Sequence, residues 1–321
     1  MTTRTSPTVC ILMATCNGEA FIAEQVESIQ RQSFKDWRLV VSDDGSTDST
    51  IAILEKYARD DSRIVILEDL TPTGSAKDNF TRLVDYADAP YVMFCDQDDV
   101  WLSHKIERTL NIMKKEEAAR GRKTPILVFT DMAVVDEKLQ PIAPSFTHRS
   151  HINPDRTKFM QVIAQSLGAG CTMMANMSLI ELFKMSSTDG RIIMHDWWLS
   201  LLASAFGVVV YIDEPTSLYR QHGSNAVGSN AYSPIESACN RKLMSNRVLA
   251  TMSQGECFRE NYGMLLSARQ LKQLNSYIDI MYSKKPLHRL FNLIISTGWK
   301  GGTRRLGQLI VVLGQLDCPS R

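Results

Sequence analysis

Three carboxylates stand within four positions, at Asp96, Asp98 and Asp99, directly after the apolar run Tyr91-Val-Met-Phe-Cys95. Such a run reads as a buried parallel strand, and open α/β sheets bind their ligands at the carboxyl ends of strands. If the chain stays extended, Asp96 and Asp98 fall on one side of it. Two hard oxygen donors with room left for phosphate suit Mg2+ or Mn2+. The plainer reading is a solvated acidic turn in which Asp99 caps the next helix.

A second acidic stretch, Ser42-Asp-Asp-Gly-Ser-Thr-Asp48, ends the apolar run 37–42. Gly45 supplies a turn there, and Ser46 or Thr47 a helix cap, but capping leaves Asp43 and Asp44 unexplained. A strand-end carboxylate is an acceptor for the N3–H of uracil or thymine. Further on, His195-Asp-Trp-Trp198 precedes the apolar segment 199–206, so Asp196 is either that helix's N-cap or a general base. His222, within Tyr219-Arg-Gln-His-Gly-Ser-Asn225, is either a structural hydrogen bonder or a ligand. Gly168-Ala-Gly-Cys171 is a small-residue loop that lets a backbone approach closely. His148 and His151 read as surface residues and take no role.

The elements that must carry these groups follow from periodicity. Strands are predicted at 9–14, 37–42, 63–67, 91–95, 126–130 and 208–212, with 133–139 a neighbour of 126–130. Between them lie amphipathic segments such as Ile22, Val26 and Ile29, or Ile106, Leu110 and Met113. This alternation predicts an α/β fold, a mostly parallel sheet covered by helices. After about residue 228 the character changes to helical patterns without a convincing parallel strand. A catalytic domain over 1–228 and a helical C-terminal region over 229–321 are therefore expected. Leu287, Leu290, Phe291, Ile294 and Ile295 form one apolar stripe, and Leu306, Leu309, Ile310 and Leu313 another. Lys284, Lys285, Arg289, Lys300, Arg304 and Arg305 accompany them. The segment 284–313 is thus either a packed cap, an oligomer contact, or an amphipathic surface for anionic lipid.

Composition narrows the class. A formal net charge of +1 argues against a general nucleic-acid binder. Seven scattered cysteines without C-x-x-C spacing point to reduced thiols in a cytoplasmic setting and to no zinc site. The apolar run 9–14 is too short for a signal-peptide core, and no stretch reaches the roughly 18 apolar residues a spanning helix needs.

Taken in order, Thr15-Cys-Asn-Gly-Glu19, Ser42–Asp48, Asp96–Asp99, His195-Asp-Trp197 and Tyr219–His222 resemble the inverting family-2 glycosyltransferases of the GT-A nucleotide-diphospho-sugar fold. The resemblance covers roughly residues 8–228. The wording Asp-Gln-Asp-Asp-Val-Trp, Gly-Cys-Thr-Met and Tyr-Arg-Gln-His-Gly-Ser-Asn is most similar to bacterial rhamnosyltransferase-type members. It implies a nucleotide-sugar site at Thr15, Asn17, Glu19, Asp43, Asp44, Lys77 and Asp96. Asp98, Asp99 and His222 would hold Mn2+ or Mg2+, Asp196 would be the base, and Gly170, Cys171, His195 and Trp197 would line the acceptor region. The implied donor is dTDP-L-rhamnose or a UDP-sugar, and the implied acceptor a lipid-linked glycan or oligosaccharide. One departure is Lys77-Asp-Asn-Phe80, where relatives carry the basic residue directly before Asn-Phe.

Two rival readings remain at this stage. Asp96-Gln-Asp-Asp-Val100 also matches the D-x-D-x-[TV] nucleophile motif of haloacid-dehalogenase-type phosphatases. That motif belongs on a first strand, whereas three strands precede this one. The other rival is a non-catalytic sugar-nucleotide-binding protein docked at a membrane through its C-terminal helices.

Overall fold

The computed structural model describes residues 6–69, 71–186, 190–223 and 241–314. Residues 224–225 of the His222 motif, and 229–240 at the start of the expected helical region, lie outside these. The chain divides into two compact units. The first comprises Met1–Phe146, Ala169–Lys184 and Val208–Ser229; the second comprises Thr147–Gly168, Met185–Gly207 and Asn230–Arg321.

The strands among the described residues are β1 (Val9–Thr15), β2 (Trp37–Asp43), β3 (Ile64–Ile66), β4 (Tyr91–Asp96), β5 (Val100–Trp101), β6 (Ile126–Val135), β7 (Pro141–Ala143), β8 (Met173–Asn176) and β9 (Val208–Arg220). The helices are α1 (Ile22–Gln30), α2 (Thr50–Asp60), α3 (Ala76–Val84), α4 (Lys105–Arg120), α5 (Phe146–Arg149), α6 (Phe159–Ala164), α7 (Met177–Lys184), α8 (His195–Phe206), α9 (Arg241–Tyr262), α10 (Ala268–Tyr282), α11 (Pro286–Ser296) and α12 (Arg304–Leu313).

All the strands belong to one sheet of the first unit, in the order β3-β2-β1-β4-β8-β6-β9-β5, with β7 beside β6. β3, β2, β1 and β4 run parallel, as strand–helix–strand repeats require. Beyond β4 the sheet is mixed: β8 is antiparallel to both β4 and β6, while β6 and β9 are parallel. The inner strands are apolar on both faces, with Val9 to Met13 and Val92 to Cys95 fully buried.

Register fixes the site. Ala14 pairs with both Ser42 and Asp96, and Thr15 pairs with Asp43. Thr15, Asp43 and Asp96 therefore leave the sheet at one carboxyl edge. There β1 has β2 on one side and β4 on the other, the switch point at which open α/β sheets bind ligands.

Two elements differ from the sequence expectation. The stretch 126–135 is one strand, β6, and not two neighbouring strands, while 136–139 form a turn. The register of β6 against β9 shifts at Thr130/Asp131 and Asp131/Ala133, and such a bulge bends a strand without ending it. β9 runs past the expected residue 212 to Arg220, because its second half pairs with β5 at Leu218 and Ser217. That extension carries Arg220 and His222 back to the 98–99 segment.

In the second unit, α8 buries Trp198, Leu199, Leu201, Leu202 and Ala203. A helix apolar on so many sides needs cover. Phe258 of α9 supplies it, with its ring 5.3 Å from Trp198 and 5.1 Å from Phe159 of α6. The segments 147–168 and 185–207, expected within the catalytic domain, thus cluster with the C-terminal helices. No helix among the described residues is long and apolar enough to cross a membrane.

Candidate active site

The strand-end turns of β1 and β2 interlock. Asp43, 1 % exposed, accepts at Oδ1 from the Thr15 and Ser46 hydroxyls (2.8 and 2.7 Å) and at Oδ2 from the Gly45 and Ser46 amides (3.1 and 2.7 Å). Gly45 takes φ +82°, a left-handed turn that favours glycine. The Thr47 amide donates to Asn17 Oδ1 (2.8 Å), the Ser49 amide to Glu19 Oε2 (2.8 Å), and the Glu19 amide to Asp48 Oδ2 (3.0 Å). Thr15, Asn17 and Glu19 are therefore held together with the turn that Asp43 organises. Four internal donors occupy Asp43, so in this conformation it organises the turn and offers no open acceptor to a base. Asp44 is likewise engaged, its oxygens accepting from the Thr73 and Gly74 amides of the loop before α3. Lys77 lies in the first turn of α3 with its ammonium 3.4 Å from Asp78 Oδ1.

At the end of β4, the Gln97 side chain bonds both backbone groups of Cys16, accepting from its amide and donating to its carbonyl, each at 2.9 Å. Asp96 is half-buried at the strand end. Asp98 Oδ2 meets His222 Nε2 at 2.8 Å. Arg220, 2 % exposed, donates from Nε to the Asp98 carbonyl (2.9 Å), from Nη1 to the Glu137 carbonyl (2.5 Å), and from Nη2 to Glu24 of α1. Phe21 completes the clamp, its ring 4.7 Å from His222 and 4.8 Å from the Arg220 guanidinium.

A hard divalent ion needs oxygen or imidazole donors close together on a fixed frame. Neighbouring ligands of an octahedral ion at about 2.1 Å are roughly 3 Å apart. Asp98 and His222 present such an edge, so the residues present fit Mg2+ or Mn2+.

Asp99, expected as a third ligand, is placed differently. It is fully buried, and one ligand atom from each of Asp96, Asp99 and Cys171 lies within 4.8 Å of the others. Burial, then the charges of Asp96 and Asp98, push its carboxyl well above the usual range, and the Cys171 thiol donates to it. The buried Asp99 carboxyl thus sits in the cluster with Asp96 and Cys171, and not in the 2.8 Å contact of Asp98 with His222. The solvated-cap reading of Asp99 fails on the same burial. Cys171 and Gly170, expected near an acceptor, are buried in the short turn before β8.

In the second unit, helix α8 begins at His195 with Met194 at its N-cap. Asp196 is consequently inside the first turn and is not the cap; its Oδ1 accepts from the Trp197 amide at 2.6 Å. His195 is buried, and desolvation lowers its pKa to about 3, which keeps the ring neutral. The Trp197 indole donates to the Val162 carbonyl at 2.6 Å.

Glu24, Gln97 and the fully buried Lys105, which donates to Thr216 Oγ1 at 3.1 Å, escaped the sequence reading. Arg220 was present in a motif but without a role. Its buried position two residues before His222 follows only from the pairing of β5 with β9.

The sheet order, the switch-point site and the strand-end carboxylates define a nucleotide-sugar transferase of the GT-A type. The chain belongs to glycosyltransferase family 2, and the family model described as Glycosyl transferase family 2 matches residues 10–164. It is 32 % identical over 228 residues to the dTDP-rhamnosyl transferase RfbG of Shigella flexneri, covering 68 % of this chain and 74 % of that protein. It is 34 % identical over 107 residues to WfgD of Escherichia coli, a UDP-Glc:alpha-D-GlcNAc-diphosphoundecaprenol beta-1,3-glucosyltransferase, covering 33 % of this chain and 41 % of the relative. The fold matches S. aureus TarS 1-349 in complex with UDP-GlcNAc at a TM-score of 0.54 and 16 % identity, over 94 % of this chain and 91 % of the other. It also matches the mannosyltransferase PcManGT of Pyrobaculum calidifontis, solved with GDP-Man and Mn2+, at 0.51 and 14 % identity, over 91 % and 74 %. The chain is a glycosyltransferase, and the phosphatase reading and the non-catalytic reading give way to that membership.

Proposed function

We propose that this enzyme moves L-rhamnose from dTDP-L-rhamnose, with inversion, to a hydroxyl of a lipid-linked glycan in bacterial surface polysaccharide synthesis. The observation that carries the reading is the meeting of Asp98 and His222 at the switch-point edge, next to the interlocked turns of 15–19 and 43–49. The rhamnosyl donor is supported by the likeness to RfbG. The lipid-linked acceptor is supported by the substrate in WfgD's name. The presence of Mn2+ in the P. calidifontis structure supports a cation.

Asp98 and His222 would hold Mg2+ or Mn2+, with Asp96 toward the ribose. The bound cation would supply positive charge for the leaving diphosphate. Asp43 and Asp44 act on the nucleotide through the backbone they fix, Asp43 through the 45–46 amides and Asp44 through the 73–74 loop. Asp196 takes the proton of the acceptor hydroxyl as its oxygen attacks the anomeric carbon and the bond to the diphosphate oxygen breaks. General-base help of this kind contributes roughly 10²–10⁴ in rate.

The test is a thermal-shift panel of nucleotide sugars with Mn2+, because only ligands of the native state raise the midpoint. Stabilisation by dTDP-L-rhamnose above UDP-hexoses is expected. Stabilisation by a UDP-hexose alone would replace the donor, and no response to any nucleotide sugar would overturn the reading.

A further inference from the structure

The last two described helices of the second unit carry long apolar side chains on an outer face as well as an inner one. α11 buries Leu293 together with Arg289, Asn292 and Ser296, while Leu287, Phe291 and Ile294 are 78, 58 and 56 % exposed. α12 buries Val311 and Val312 with Gln308, and exposes Leu306, Ile310 and Leu313. An ordinary surface helix turns a polar face outward, whereas these two expose a second apolar row. The Arg289 guanidinium donates to the Val312 carbonyl at 2.7 Å and to that of Gly314, which fastens the start of α11 beside the end of α12. The Ser296 hydroxyl donates to the Leu293 carbonyl at 2.9 Å and the Gln308 amide to that of Gly298 at 2.8 Å, so these two buried polar side chains are partnered. What the helix pair leaves outside is an apolar surface of the kind that marks an interaction site.

Charge says what covers it. Between Asp279 and Asp317 the sequence has no acidic residue. Of the six cations that accompany the stripes, Arg289 is buried, Arg304 is engaged with the Ser150 carbonyl at 2.8 Å, and burial first, then Arg304 and Arg247, lowers Lys300 to about 8. Lys284, Lys285 and Arg305 stay exposed, the last stacked 4.2 Å over Trp299. A two-fold contact of this surface with itself would gather the cations of both copies in one interface with no acid from the same stretch to pair them, and like charges repel. An anionic bilayer matches both the apolar rows and the exposed cations.

We infer that the exposed rows of α11 and α12, with Lys284, Lys285 and Arg305, form a docking surface for an anionic membrane, lying in the interface without spanning it. The inference deepens the proposed function, since a lipid-linked acceptor resides at a membrane, and rests on it for that use alone. The surface itself is read from the second unit.

The experiment is co-sedimentation of the full chain with phosphatidylcholine vesicles, with and without phosphatidylglycerol, at about 0.05 and about 0.5 M salt. Binding is expected only with phosphatidylglycerol and should weaken at high salt. The combined Leu287→Ser, Phe291→Ser and Ile294→Ser variant should lose it, and Lys284→Glu with Lys285→Glu should weaken it at least about tenfold. Both variants should keep the wild-type midpoint and nucleotide-sugar stabilisation. Absence of low-salt binding, or undiminished binding of the serine variant, would overturn the inference. So would a wild-type dimer that the serine variant splits, which would assign the surface to a second copy. Vesicle binding that persists when no nucleotide sugar stabilises the protein would sink the proposed function and leave the surface standing.

Discussion

His222 Nε2 lies 2.8 Å from Asp98 Oδ2, although 124 residues separate them. The long second half of β9, paired to β5, returns His222 to the end of β4. Arg220 then fixes both partners, since it precedes His222 by two residues and holds the Asp98 carbonyl. A carboxylate and an imidazole aimed at one point on so rigid a frame are suited to holding a cation beside a diphosphate.

Arg220 is expected to act as a positioning residue. Lysine cannot reproduce its three-way fork to Asp98, Glu137 and Glu24. Arg220→Lys should destabilise the fold by about 1–3 kcal/mol. It should also weaken Mn2+-dependent nucleoside-diphosphate binding roughly 10- to 100-fold, as loss of an outer partner does in metal sites. Calorimetry well below the variant's midpoint separates the two effects: unchanged affinity in the folded variant would reduce Arg220 to a structural role.

Asp196→Asn should lower kcat by at least about a hundredfold while leaving donor affinity nearly intact. Because Met194 is the N-cap, stability should change by no more than about 1 kcal/mol, from the lost charge in the first turn. Steady-state kinetics with a synthetic acceptor check this. A variant with near-normal kcat places the base elsewhere.

His195 predicts acid sensitivity. Its folded pKa, about 3, is below the usual 6.5, so under acid the unfolded chain binds a proton that the native one refuses. Stability is complete above about pH 6.5 and falls as pH drops toward 3, by on the order of 3 kcal/mol at pH 4. Urea titrations of wild type and His195→Gln across this window should show the difference between them closing under acid. A constant difference would mean that His195 takes up its proton as readily in the native state as in the unfolded chain.

The site was legible to the extent that it lies at strand ends. Parallel register carries Thr15, Asp43 and Asp96 to one edge once the strands are found, and apolar runs reveal the strands. Side-chain direction was not legible. Nothing in sequence spacing pairs Glu24 with Arg220, 196 positions apart, or turns Asp99 inward to Cys171. The expected cap at Asp196 missed by two residues because helix boundaries depend on the preceding chain as well as on the capping residue. Counting cations over 284–313 likewise could not tell buried Arg289 from exposed Lys285. The grouping of 147–168 and 185–207 with the C-terminal helices arises from aromatic packing on Phe258, which no local pattern encodes.

The central claim is a cation-dependent nucleotide site built on Asp98 and His222. Isothermal titration of dTDP into the wild-type protein, in Mn2+ and then in excess EDTA, addresses it most directly. Binding at least tenfold weaker in EDTA, about 1.4 kcal/mol or more, is predicted, with Asp98→Asn equally weak in both conditions. Equal affinity of the wild type with and without the cation would contradict it.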